Sequence, residues 1–202
     1  IFAQTAMGGT CPRRHDPPVA AAKMPPLQLE PEQVTAAMPK IIGLGQAHVT
    51  GQCINAIVKM GVADALGAET LSVPEIAARL EGTPNEDMLL RCMRLLALHG
   101  LFAETAGPGG VCRFALTPMG ALLQRAAPGQ PSAACAMFTW NERCLWDAWL
   151  AVPDMVAGKV QAPSPFEAAN GVSLFTHFAQ SPESAQNFNE WMSLCSAGEL
   201  PV

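Results

Sequence analysis

The first regular alternation of apolar and polar positions lies between Ile41 and Met60, where Val49, Cys53, Ile57 and Met60 recur at helical spacing. Ala47, Ile54, Ala56 and Val58 put apolar groups on the remaining faces of the same predicted helix. A helix apolar on several sides needs cover on several sides, either from a central place in the core or from a second subunit. Ordered structure is expected to begin between Glu32 and Ile41. Ahead of it, six of the 18 prolines fall in the first 31 residues, beside Gly8, Gly9 and Arg13-Arg14-His15-Asp16. That composition predicts a flexible tail over residues 1–31.

Start and stop signals punctuate the next segment. Ser72-Val73-Pro74-Glu75 is a capping box opening a short helix to Leu80. Thr83-Pro84-Asn85-Glu86 predicts an N-cap threonine followed by proline, ahead of Met88, Leu89, Cys92, Leu95 and Leu96, and Gly100 ends that helix. Leu101–Glu104 and Val111–Leu116, joined through Gly107-Pro108-Gly109-Gly110, predict a β-hairpin, and Thr117-Pro118 starts another helix. Helices followed by a hairpin give the order of a winged helix-turn-helix. Beyond a break around Pro128 to Pro131, a Trp-rich stretch runs from about Ala133 to Gly158, with Pro153 expected to kink or divide it. A loop containing Pro163 and Pro165 then leads to a short helix near Ser173–Ala179, and Ser181-Pro182-Glu183 caps a last helix through Phe188, Trp191 and Met192. The fold expected is mainly α: a winged-helix-like domain over 32–126 with one small β-hairpin, and extra C-terminal helices over 127–202.

Composition narrows the function. Half of the 202 residues are apolar, so a real core can form, while only 14% are charged and the net charge is −5. A winged helix invites a DNA-binding reading, yet between Asn85 and His99 the charges Glu86, Asp87, Arg91 and Arg94 cancel. The two acids stand in the first turn, where they suit the helix dipole and repel phosphate, and the wing tip has no Lys or Arg. No nucleic-acid partner is expected. Nor is a membrane span, since the stretch from Ile41 to Val58 is interrupted by Gln46, His48, Gln52 and Asn55. The seven scattered cysteines, without a C-x-x-C pair, read as reduced, buried thiols of a cytoplasmic protein, and no metal constellation is apparent.

Several segments, in order, resemble the N-terminal dimerisation domain of plant-type and bacterial small-molecule O-methyltransferases. They are Cys53 to Leu66 with its Met60-Gly61-Val62-Ala63-Asp64 core, Ser72 to Leu80, Leu89 to Phe102, and Phe114-Ala115-Leu116-Thr117-Pro118-Met119-Gly120. In the second half, Trp149, Gly158, Pro165 to Gly171, Pro182-Glu183 and Phe188-Asn189-Glu190-Trp191-Met192 match as well. The likeness spans about Ile41 to Met192.

The resemblance implies helices that intertwine with those of a second subunit, as a homodimer or as a heterodimer with a related chain. It also implies a partial roof over a pocket for a small acceptor, an aromatic hydroxyl compound. Met192 and Asn141 match pocket-lining positions of the family. Phe138, Trp146 and Trp149 are further candidates, because large rings suit a flat acceptor. Such enzymes use S-adenosylmethionine, held by a C-terminal Rossmann-like domain that also carries a histidine base. No glycine-rich strand-to-helix turn of that kind is seen, so this chain is expected to bind no donor and to hold no catalytic residue. His48 and His99 read as core or capping groups, and His177 has no evident acidic partner in the sequence. Three functions stay open: a methyltransferase fragment inactive alone, a stand-alone dimerisation or regulatory module, and, less favoured, a DNA-binding regulator.

Overall fold

The structure is a computed structural model and describes residues 26–125 and 132–197. The expected tail as far as residue 25, and the expected break at Pro128 to Pro131, lie outside the described residues. The chain divides into two units between Gly45 and Gln46, within the first helix.

That helix, α1, runs Pro31–Met60 and so begins ten residues earlier than the apolar periodicity predicts. Local polar groups start it: the Glu30 amide donates to Gln33 Oε1 (3.0 Å), and Thr35 Oγ1 donates to the Pro31 carbonyl (2.9 Å). These are short-range signals that hydrophobic spacing does not carry. Up to Gly45 every residue of α1 is exposed, including Met38, Ile41, Ile42 and Leu44. In the second unit the same helix turns Asn55, Ile57 and Val58 inward.

The core of the second unit gathers around Phe114, which is fully buried with Ile57, Leu66, Ile76, Met93 and Leu96. Helix α2 (Val62–Leu66) follows α1 through Gly61, whose φ of +70° is a left-handed conformation that glycine adopts without strain. Ser72 then caps α3 (Val73–Ala77) in a full capping box with Glu75, as the sequence predicts. Helix α4 spans Glu86–Leu98, and its N-cap is Asn85, not Thr83. The Asn85 side chain accepts the Met88 amide at 3.0 Å, and that bond fixes the start two residues later than expected. Gly100 terminates α4, with the Leu101 amide reaching back to the Leu96 carbonyl.

The hairpin forms as β2 (Phe102–Ala106) and β3 (Cys112–Leu116), turning through Gly107 to Gly110. A third strand, β1 (Leu71–Ser72), pairs antiparallel with β3, giving the order β1-β3-β2. Two residues are too short for an alternation pattern, so the sequence could not announce it. Thr117 caps α5 (Pro118–Ala121) by accepting the Gly120 amide at 3.1 Å.

The remaining helices are α6 (Ala134–Trp140), α7 (Arg143–Val156), α8 (Pro165–Asn170), α9 (Leu174–Gln180) and α10 (Pro182–Ser196). The Trp-rich stretch divides at Asn141–Glu142 instead of at Pro153. Asn141 ends α6 by donating both its backbone N–H (3.2 Å) and its Nδ2 (2.8 Å) to the Met137 carbonyl. Pro153 is accommodated in the last turn of α7. Helix α8 occupies what was expected to be loop. Leu145, Ala148 and Phe166 form a smaller apolar cluster between α7 and α8, with Cys144 and Leu174 packed against it.

Candidate functional site

The five residues marked as pocket candidates are carried by α6, α7 and α10. Asn141, half-buried, joins a polar chain onto α1: its Oδ1 accepts from Gln52 Nε2 at 3.3 Å, and Gln52 Oε1 accepts from Asn55 Nδ2 at 3.3 Å. Phe138 packs against the main core and lies under Arg125, whose guanidinium carbon is 5.9 Å from the ring centroid. Trp146 is half-buried, and its indole Nε1 is buried without a hydrogen-bond partner. Trp149 on α7 and Met192 on α10 are exposed, at 48% and 40%. A shallow concavity between α3, α4 and the hairpin is lined by Val73, Pro74, Glu86, Asp87, Leu90, Val111 and Cys112, none of which is among the five.

An aromatic row assembled only by tertiary packing ties the C-terminal helices together. Trp140 of α6 meets Trp191 of α10 edge-on at 5.1 Å between centroids, and Phe188 lies 6.0 Å from Trp191 and 4.7 Å from Phe178. These contacts place Met192 directly after a packed anchor, on a helix held against α6. Phe188 and Trp191 therefore act in packing, which leaves Met192 and Trp149 as the exposed side chains of the set.

His177 is not isolated. Its Nε2 lies 3.8 Å from Glu142 Oε2 and 3.5 Å from Cys144 Sγ, and Cys144 Sγ is 3.4 Å from the same carboxylate oxygen. Glu142 is the missing acidic partner. It stands at the N-cap of α7 and reaches His177 on α9, a separation that spacing rules cannot bridge. Burial first, and then Glu142, push the Cys144 thiol up to about 11, so without a metal it is neutral at physiological pH. Among the other histidines, His99 is the C-cap of α4 and shares a 3.3 Å contact with Thr50 Oγ1, while His48 is exposed on α1.

The face of α4 that would enter a DNA groove is neutralised by its own partners. Arg91 pairs with Asp87 at 2.9 Å and Arg94 with Glu104 at 2.9 Å, and the Arg94 guanidinium holds the Glu104 carboxyl below its usual range.

A family model described as the O-methyltransferase dimerisation domain matches residues 43–125. The chain carries an O-methyltransferase dimerisation domain. The match takes in the second half of α1, the winged-helix core and the hairpin. Among similar proteins, nicotinate N-methyltransferase 1 of Glycine max is 32% identical over 158 residues, covering 75% of this chain and 43% of that protein. O-methyltransferase SfmM3 of Streptomyces lavendulae is 29% identical over 144 residues, covering 71% and 40%. The solved structure of CalO1, a methyltransferase in calicheamicin biosynthesis with SAH bound, superposes with a TM-score of 0.63 at 27% identity, covering 85% of this chain and 47% of that one. The chain thus spans less than half the length of the relatives it matches. Similarity extends past residue 125 into the C-terminal helices, since the matched share of the chain exceeds the dimerisation domain. Among the described residues, no helix is long and apolar enough to cross a membrane.

Proposed function

We propose that this chain provides the pairing surface and part of the acceptor-pocket lid of an S-adenosylmethionine-dependent small-molecule methyltransferase. Donor binding and methyl transfer belong to the part of its relatives that it does not span. The observation that carries the proposal is the dimerisation-domain match over residues 43–125. In this reading 32–126 is the dimerisation domain and 127–202 the lid extension.

The partner is a second copy of the chain. Support comes from α1, which shows Ile41, Ile42, Leu44 and Val49 between 45% and 78% exposed. Apolar side chains in that number on one helix are far more stable when covered, each worth roughly 1.5–3 kcal/mol on full burial. Self-association of the isolated chain, weakened by Ile41→Asp or Leu44→Asp, supports the homodimer. A monomer that pairs only with a full-length relative supports the heterodimeric, regulatory alternative.

The acceptor is a flat aromatic hydroxyl compound. Trp149 and Met192 offer exposed apolar surface for it, and Trp146, Phe138 and Asn141, which are half-buried, complete the proposed set. The proposed roles are shape and orientation, and none of the five is assigned proton transfer. Isothermal titration with S-adenosylmethionine tests the division of labour: no heat of binding is expected, and saturable binding by the 202-residue chain contradicts it. Both arginines of α4 are engaged by carboxylates, which disfavours the DNA-binding reading. Salt-sensitive binding to duplex DNA would restore it.

A further inference from the structure

The cluster at the start of α7 is the arrangement left unused by the methyltransferase reading. Glu142 and Cys144 flank the first residue of α7, and His177 comes from α9, 33 positions beyond Cys144. Their potential donor atoms, Oε2, Sγ and Nε2, all lie within 4.8 Å of one another. The side chains are largely shielded, Glu142 being 21% and His177 26% exposed.

The edges of this triangle can be compared with a coordination sphere. A tetrahedral zinc ion with a sulfur at about 2.3 Å and nitrogen and oxygen at about 2.0–2.1 Å requires sulfur edges of about 3.5 Å and a nitrogen–oxygen edge of about 3.3 Å. The sulfur edges here are 3.4 Å and 3.5 Å. The nitrogen–oxygen edge is 3.8 Å, wider than that sphere requires, so metal binding would draw the carboxylate and imidazole together. In the metal-free chain the Cys144 thiol donates to Glu142, and the Cys144–His177 contact depends on the imidazole tautomer, whereas one cation would engage all three donor atoms at once.

The surroundings hold the donors in place. The His177 ring packs edge-on against Phe166 at 5.6 Å and lies tilted to Phe178 at 6.1 Å. Asn170 Nδ2 donates to both the Cys144 carbonyl (3.1 Å) and the Phe166 carbonyl (3.0 Å), binding α8 to the base of α7. An apolar wall and a fixed backbone favour ligand geometry over open solvation. A thiolate and a carboxylate together neutralise a divalent ion, and imidazole completes a donor set that suits zinc better than magnesium or calcium, which prefer all-oxygen shells.

We propose that Glu142, Cys144 and His177 form a zinc(II) site, with water in the fourth position, that staples the N-terminus of α7 to α9. On binding, the Cys144 S–H bond breaks, the sulfur–zinc bond forms and one proton passes to solvent. The site is independent of methyl transfer and stands or falls separately from the proposed function.

The test is a titration of the metal-free 202-residue chain with cobalt(II) as a spectroscopic probe, followed by displacement with zinc(II). One cobalt per chain is expected to give a thiolate charge-transfer band and intense tetrahedral d–d bands, both removed by zinc. Cys144→Ser abolishes the charge-transfer band, and His177→Ala or Glu142→Gln weakens zinc binding by at least about tenfold, the effect that loss of even an outer-shell partner produces. Cys195→Ser leaves the spectrum unchanged. Zinc also raises the melting temperature of the parent chain but not of Cys144→Ser, with far-ultraviolet circular dichroism establishing that the metal-free variants are folded. No thiolate band at one equivalent, or a band that survives in both Cys144→Ser and His177→Ala, overturns the proposal. Should Cys144→Ser fail to fold, His177→Ala and Glu142→Gln decide by the same affinities.

Discussion

Glu75 shows how one side chain serves several partners. Its Oε2 accepts from the Ser72 amide and the Ser72 hydroxyl, each at 2.7 Å, and lies 3.0 Å from Arg113. The Ser72 bonds first, and Arg113 after them, hold the Glu75 carboxyl below its usual range. A depressed carboxylate contributes stability that is present above its unfolded value of about 4.3 and lost as pH falls through the lower folded value. Urea midpoints should therefore decline on acidification below about pH 4.3, and Glu75→Gln should flatten that decline. Gly120 is constrained by space: a Cβ there would collide with the Leu101 carbonyl. Gly120→Ala is expected to cost about 1–3 kcal/mol in urea denaturation despite alanine's better helix propensity. The capping role of Ser72 was legible because donor and acceptor are three residues apart. The meeting of Glu142 and Cys144 with His177 was not, because it depends on how α7 and α9 pack.

Helices and strands divide along the same line. The starts of α3 and α5 and the turn of the hairpin follow from capping residues and glycine positions readable in order along the chain, whereas α3 ends at Ala77, short of the expected Leu80. Helix α8 carried an equally local signal, Ser164-Pro165-Phe166-Glu167, with Ser164 Oγ accepting the Glu167 amide at 3.2 Å, but the neighbouring prolines gave it the look of a loop. At α4 two cap signals competed, and geometry favours Asn85 over Thr83. Asn85→Ala should cost about 1 kcal/mol, and Thr83→Ala less than about 0.5 kcal/mol, by chemical denaturation. The division of the Trp-rich stretch was misplaced for a related reason. Proline weakens a helix interior but is tolerated in the last turn of α7, whereas Asn141 turns its own side chain back on the carbonyl it would otherwise extend past. Of the pocket candidates, Asn141 thus has a local structural task as well as the proposed one. Trp146 can be probed more cleanly, since Trp146→Phe removes a buried N–H that pairs with nothing among the described residues. Little change in stability is expected, because no hydrogen bond is lost and the smaller ring gives up only part of the half-buried contact surface.

For the molecule as a whole, two observations made independently agree. The apolar excess of α1 asks for cover on more than one side, and residues 43–125 match a dimerisation domain whose relatives are about twice as long as this chain. The sequence could reveal that excess because hydrophobicity is additive along a helix. It could not distinguish a core helix from an interface helix, and the exposure of Ile41, Ile42 and Leu44 in the first unit favours the interface. Sedimentation velocity on the purified chain reads this pairing without a probe or a ligand. A concentration-dependent species of twice the 21.3 kDa chain mass is expected, reverting to monomer in Ile41→Asp and Leu44→Asp. A parent chain that sediments as a monomer at every concentration, alone and without a partner, contradicts it.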